Sequence, residues 1–92
     1  MRLARSSSQF RKSLKKILKS GRVDRNEIQD VIDMLIRGEQ LHESYRDHQL
    51  SGDMKDKREC RIKPDLLLVY KIENNSLVLV LVDIGSHSDL FD

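Results

Sequence analysis

Residues 57–83, KRECRIKPDLLLVYKIENNSLVLVLVD, decide the fold. Three strand-like runs are separated by two turn signals, Pro64-Asp65 and Asn74-Asn75. Proline presets the backbone of a turn, and asparagine tolerates the left-handed conformation of tight hairpins. In the first run, residues 57–63, Cys60 and Ile62 alternate with Glu59, Arg61 and Lys63. That period of two predicts one buried face, with Glu59, Arg61 and Lys63 together on the other. In the second, Leu66, Leu68, Tyr70 and Ile72 alternate with Leu67, Val69 and Lys71. The third, Leu77 to Asp83, is apolar on both faces and is expected to be central, with a neighbour on each edge. The N-terminal MRLAR can supply the missing neighbour.

Upstream the period changes to that of helices. Phe10, Leu14, Ile17 and Leu18 form one apolar face of a first helix over about Ser8 to Ser20, with serines to cap it and Gly21 to end it. A second helix starts at Asp24, with Glu27 three residues on as in a capping box. Its stripe is Ile28, Val31, Ile32 and Leu35, broadened by Met34 and Ile36, and Gly38 closes it. A link of a few residues makes the helices antiparallel neighbours. The expected fold is α/β (α+β) in the order β-α-α-β-β-β. Both helices cover one face of a mainly antiparallel sheet, and residues 41–53 form a loop or short extended segment.

Residues 1–92 are read as a single domain, small enough for one core only. The longest apolar run, LVLVLV at 77–82, has strand length and is too short to span a bilayer. The start lacks the apolar stretch of a secretory signal, and Cys60 is the one cysteine, so no internal disulfide can form. A cytoplasmic protein without membrane contact is expected. Charge is uneven. Residues 8–22 carry Arg11, Lys12, Lys15, Lys16, Lys19 and Arg22 and no acid. Residues 52–63 carry Lys55, Lys57, Arg58, Arg61 and Lys63 against three acids, whereas after Pro64 acids outnumber Lys71. Local positive fields of this kind suit a polyanion or an acidic protein partner.

The uncovered sheet face, walled by the loop before the hairpin and the tail after Asp83, is the candidate site. His48, Glu59, Arg61, Lys63, Asp65 and His87 rim it, and Gly85 lets the chain turn so that His87 returns. Each residue has a plainer reading. His48 and His87 could be surface histidines, Asp65 an ordinary turn residue, and Phe91 a core plug. His42 is assigned to the surface and Cys60 to the core. No HExxH spacing or partner cysteine suggests a metal, and there is no Gly-rich phosphate loop.

The stretches YRDHQLSG, RECRIKPDLLLVYKI and GSHSDLF resemble the YafQ branch of the RelE/ParE-type toxins of bacterial toxin–antitoxin systems, over essentially the whole chain. The resemblance implies a RelE-like fold of the small microbial-ribonuclease type. It implies ribosome-dependent cleavage of mRNA in the A site, with no metal or cofactor. It further implies a cognate antitoxin with an acidic or amphipathic tail, and contact with operator DNA only through that complex. The family's first catalytic histidine falls on His48, its hairpin acid (an Asp in the family pattern) on Glu59, and its Asp after proline on Asp65. Its late histidine falls on His87 and its C-terminal aromatic on Phe91. Where some relatives carry a second hairpin histidine, this chain has Arg61.

Metal-free RNA cleavage needs a proton taken from the 2′-hydroxyl, charge stabilised on the phosphate, and a proton given to the 5′-oxygen. Histidine suits both transfers, with an unperturbed pKa of about 6.5. His48 and His87 are therefore assigned to proton transfer and Asp65 to orientation or base duty. Arg61, which can hold a phosphate but not return a proton, is assigned as the clamp. Phe91 is expected to stack on a base. Lys55, Lys57, Arg58, Lys63, Lys12, Lys15 and Lys16 are expected to bind RNA phosphates. Two rivals share the pattern: a ParE-like inhibitor of DNA gyrase, and a basic nucleic-acid-binding module without catalysis.

Overall fold

The computed structural model describes residues 1–91. A short strand β1 (Leu3–Ser6) leads into helices α1 (Ser8–Lys19) and α2 (Arg25–Ile36). A two-residue strand β2 (His48–Gln49) lies between single 3₁₀ turns at Glu43–Tyr45 and Gly52–Met54. Strands β3 (Arg58–Lys63), β4 (Leu66–Glu73) and β5 (Val78–Gly85) follow, and a short helix α3 (His87–Phe91) comes after them. The sheet order is β1-β5-β4-β3-β2, with β1 parallel to β5 and the other pairs antiparallel. The β-α-α-β-β-β frame is thus present. Two short elements extend it, β2 at His48 and α3 after Gly85.

Local chemistry accounts for the helix boundaries. The Ser7 hydroxyl accepts from the Phe10 amide at 2.9 Å and starts α1. At α2, Asp24 accepts from the Asn26 amide at 2.9 Å while Glu27 accepts from the Asp24 amide at 3.4 Å, a reciprocal cap. Gly38, at φ +75°, follows α2 in a conformation that costs other residues a steric clash. In the β4–β5 turn, Asn74 and Asn75 both have positive φ, as a tight hairpin requires.

One side of the sheet is buried beneath the helices. Cys60, Leu66, Leu68, Tyr70, Leu79, Leu81 and Ile84 meet Phe10 of α1 and Ile28, Val31, Ile32 and Leu35 of α2. Leu68 and Leu79 have no exposed surface, so Leu68→Ala would cost about 2–5 kcal/mol. Burial pushes the Cys60 thiol up to about 12, helped by the nearby carboxylates of Asp47 and Glu59. A thiol in that state is a packing group rather than a nucleophile.

Two register shifts alter which way side chains point. In β3, Arg61 pairs with Leu67 but Lys63 pairs with Leu66, so Ile62 is an extra residue. Leu66 faces the helices, and therefore so does Lys63, whose ammonium lies 3.5 Å from Glu27 of α2. Strict alternation predicts Lys63 beside Glu59 and Arg61, and the bulge overturns that. In β5 a second shift falls between the pairs Val69–Asp83 and Tyr70–Leu81. Beside it, Asp83 accepts from the Ile84 amide at 2.8 Å and from Ser13 of α1 at 2.7 Å.

Candidate active site

His48 reaches the site from a strand with only two paired residues. His48 stands opposite Glu59, and Gln49 opposite Arg58. Arg46, two residues before His48, is in the left-handed conformation at φ 49°. Its carbonyl oxygen lies 2.6 Å from His48 Nδ1. A carbonyl only accepts, so Nδ1 carries hydrogen, and in the neutral ring the lone pair sits on Nε2. Nε2 is 3.8 Å from the Glu59 carboxylate, which is 13% exposed against 54% for the imidazole.

His87 and Phe91 arrive together on α3. Residues four apart on a helix share a face, and these rings lie 5.3 Å apart at 47°. Ser86 and Asp89 start the helix with a reciprocal pair: Asp89 accepts from the Ser86 amide at 3.0 Å, and the Ser86 hydroxyl accepts from the Asp89 amide at 3.1 Å. The Ser86 amide, and after it the Ser86 hydroxyl, holds the Asp89 carboxyl below its ordinary value. Gly85 matters through space rather than through an unusual φ. A Cβ there would lie 2.9 Å from Asp89 Cβ, so only glycine lets α3 fold back this closely.

His48, Glu59, His87 and Phe91 meet in one cleft of about 320 Å³, completed by Leu50, Ser51 and Met54. Two imidazoles, a carboxylate and an aromatic ring are thereby gathered from three separate parts of the chain. Arg61 is two residues along β3 from Glu59, outside the cleft lining. Asp65 is exposed in the β3–β4 turn and lines a different groove, about 600 Å³, with Lys16, Arg22, Lys63 and Asp89. The β4–β5 register ends at Leu67 opposite Gly85, so Asp65 and His87 each lie two residues beyond the same end of that ladder.

The basic residues divide by use. Arg58 donates to both oxygens of Asp47, at 3.2 and 3.4 Å, and Tyr70 donates its hydroxyl to the same carboxylate at 2.5 Å. The bond to Asp47 raises the Arg58 pKa, and burial followed by the same carboxylate raises that of Tyr70. Lys57 pairs with its neighbour Asp56 and Lys63 with Glu27. Lys12, Lys15, Lys16, Lys55 and Arg61 have no salt bridge among the described residues. Lys12 and Lys16 flank Asp83 and Asp89, whereas Lys15 lies with Arg11, Lys19 and Arg25 on another side of α1. The three lysines therefore do not make one patch. Sequence reading misses the bond network of Asp47. An acid next to a candidate histidine is visible, but its partners are 11 and 23 residues away. His42, assigned to the surface, accepts from the Ser44 amide at 3.1 Å and caps the first 3₁₀ turn.

A profile of the YafQ family, bacterial toxins of type II toxin–antitoxin systems, matches residues 2–92. The chain belongs to this family. Over 86 residues it is 31% identical to the mRNA interferase toxin YafQ of Escherichia coli K12, covering 92% of this chain and 90% of that one. The structure of a metal-bound toxin from Helicobacter pylori is 44% identical with a TM-score of 0.90, covering 99% of this chain and 100% of that one. A chain of the E. coli DinJ–YafQ toxin-antitoxin complex is 30% identical with a TM-score of 0.89, covering 99% and 98%. The YafQ match agrees with the RelE-like α+β arrangement of the sheet and its two covering helices. In this YafQ-family chain, no group of three or more His, Cys, Asp or Glu among the described residues could hold a metal. No helix among the described residues is long and apolar enough to cross a membrane.

Proposed function

We propose that this toxin is a ribosome-dependent endoribonuclease that stops translation by cutting mRNA in the A site, using acid–base chemistry of its own side chains. The observation that carries the reading is the single cleft holding His48, Glu59, His87 and Phe91 in a YafQ-family chain. His48 takes the 2′-hydroxyl proton on Nε2, and Glu59 stabilises the resulting imidazolium. His87 returns a proton to the departing 5′-oxygen. Phe91 stacks on a base beside the scissile phosphate, worth about 1–3 kcal/mol. Arg61, on the strand beside Glu59, draws in the phosphate and stabilises its growing charge. Asp65, in the neighbouring groove at the same end of the sheet, contributes its charge there rather than a direct bond to His87.

The E. coli relative in a complex with DinJ supports an antitoxin partner for this chain as well. An acidic segment would find Lys15 with Arg11, Lys19 and Arg25 on one side of α1, and ribosomal phosphates would meet these residues or Lys12 and Lys16 on the other. Operator DNA would then be reached through the antitoxin alone. The test is His87→Gln in single-turnover cleavage of a ribosome-bound message. Folding and ribosome binding should be retained and the rate should fall about 10²–10⁴-fold. Wild-type cleavage by this variant would reject the site. Growth arrest with intact messages and blocked supercoiling would favour gyrase inhibition instead. RNA binding with no cleavage in the unmodified protein would favour the non-catalytic module.

A further inference from the structure

Behind the cleft, three strands meet in one row, with Gln49 paired to Arg58 and Arg58 to Tyr70. Side chains alternate across a strand, so neighbours on β2 point to opposite faces of the sheet. His48 faces forward to Glu59 and the cleft. Asp47 faces backward, where Tyr70 of the helix-covered core and Arg58 hold its carboxylate. We infer that Asp47, gripped by Tyr70 and Arg58 behind the sheet, is the positioning residue that fixes both the place of His48 in the cleft and the ring nitrogen it presents there.

Little else holds β2. It lies at a sheet edge and has two paired residues, extended among the described residues by the Leu50 amide to the Lys57 carbonyl at 2.9 Å and Gln49 Nε2 to the Lys55 carbonyl at 2.7 Å. Those anchors lie on the far side of His48 from Arg46. On the near side, Asp47 is the residue between the Arg46 carbonyl and the imidazole that donates to it. If Asp47 swings free, the left-handed turn at Arg46 loses its fixed end, and the carbonyl and Nδ1 part. The ring can then flip or change tautomer, and Nε2 no longer points to the cleft as an acceptor. A charge-assisted fork from Arg58 and a buried phenol are suited to prevent this, since both donors are themselves anchored in paired strands. This inference rests on the proposed role of His48 in proton transfer.

The tests are Asp47→Ala and Tyr70→Phe in the full chain, with two readouts. Imidazole ¹⁵N shifts report the tautomer of His48, and single-turnover cleavage on ribosomes reports its use. In the unmodified protein the neutral ring should carry hydrogen on Nδ1. Both variants should show a mixture with hydrogen on Nε2. Cleavage should fall about 100-fold for Asp47→Ala, the scale of an ångström-sized misplacement. It should fall about tenfold for Tyr70→Phe, the scale of one lost hydrogen bond. In a His48→Gln background neither change should lower the rate further. Should Asp47→Ala not fold, Tyr70→Phe keeps the core ring and gives the same readings. A folded variant with an unchanged tautomer overturns the inference, as do losses that multiply with that of His48→Gln. Full activity in His48→Gln alone would instead remove the catalytic reading of His48, and the tautomer result would still decide the role of Asp47.

Discussion

Gly85→Ala should damage catalysis more than stability. The added Cβ would lie 2.9 Å from Asp89 Cβ and 3.1 Å from its carboxylate. Carbon atoms settle at about 3.5–4.0 Å, so roughly 0.6–1.1 Å of movement is needed. Asp89 cannot swing its Cβ away as it could a flexible tip, and its carboxylate and amide are both engaged by Ser86. The five-residue α3 must therefore move as a unit, carrying His87 and Phe91 at its two ends. Overpacking costs about 1–3 kcal/mol, and replacing glycine returns about 0.4–1 kcal/mol through the unfolded chain. A net loss near 1 kcal/mol would lower Tm by about 4–8 °C in a domain this size. A displacement of about 1 Å in a catalytic group costs up to 100-fold in rate. Thermal melts by circular dichroism and single-turnover cleavage on ribosomes, run on the same preparation, separate the two effects. A lower Tm with an unchanged rate would refute the idea that Gly85 sets the place of His87.

Arg61→Ala should reduce cleavage by a factor that stays constant from about pH 5.5 to 8.5, because a guanidinium does not titrate there. A defect that varies with pH would mark proton transfer at this position. Replacing Lys12, Lys15 and Lys16 with Ala should flatten the salt dependence of ribosome binding, by about 0.7–0.9 in log–log slope for each phosphate no longer neutralised. An unchanged slope would leave these lysines as the solvated back of α1. Asp24→Ala should cost about 1 kcal/mol in a denaturant melt through loss of the α2 cap, with no change in cleavage. Acid should loosen α3 through Asp89, whose carboxyl is held low by Ser86. A lowered carboxylate stabilises the fold above its ordinary value near 3.9 and loses that contribution as pH falls below it. The Leu90 methyl shifts should therefore change as pH falls below about 4.

The features legible in the sequence are those specified by neighbours in the chain. The α2 start is written in Asp24 and Glu27, and the β3–β4–β5 meander in two turns and an alternating pattern. The bulge at Ile62 is hidden, because RECRIK alternates well enough to pass for a regular strand. One extra residue then reverses the side on which Lys63 emerges. A helix the length of α3 is too short to show a period, so the sequence reads as a tail where a turn of helix carries His87 and Phe91 together. Charge in a sequence looks available for RNA wherever it occurs, yet Arg58 is committed to Asp47 and Lys63 to Glu27. Such commitments join residues distant in sequence and leave no local trace. The sequence reading puts Asp65 in the same site as the histidines, and the structure places it around the end of the sheet, in another groove.

The parallel pairing of β1 with β5 joins Leu3 to Val78 and Ser6 to Leu81. Contacts between such distant residues form late, because closing a long loop costs entropy before the contact repays it. While the protein is being synthesised, β1 has no strand to join until β5 has emerged, and His87 and Phe91 follow β5. The cleft therefore cannot close until β5 and α3 have both emerged. Chains interrupted before α3 would present His48 on an unfinished sheet, without the wall that His87 and Phe91 provide.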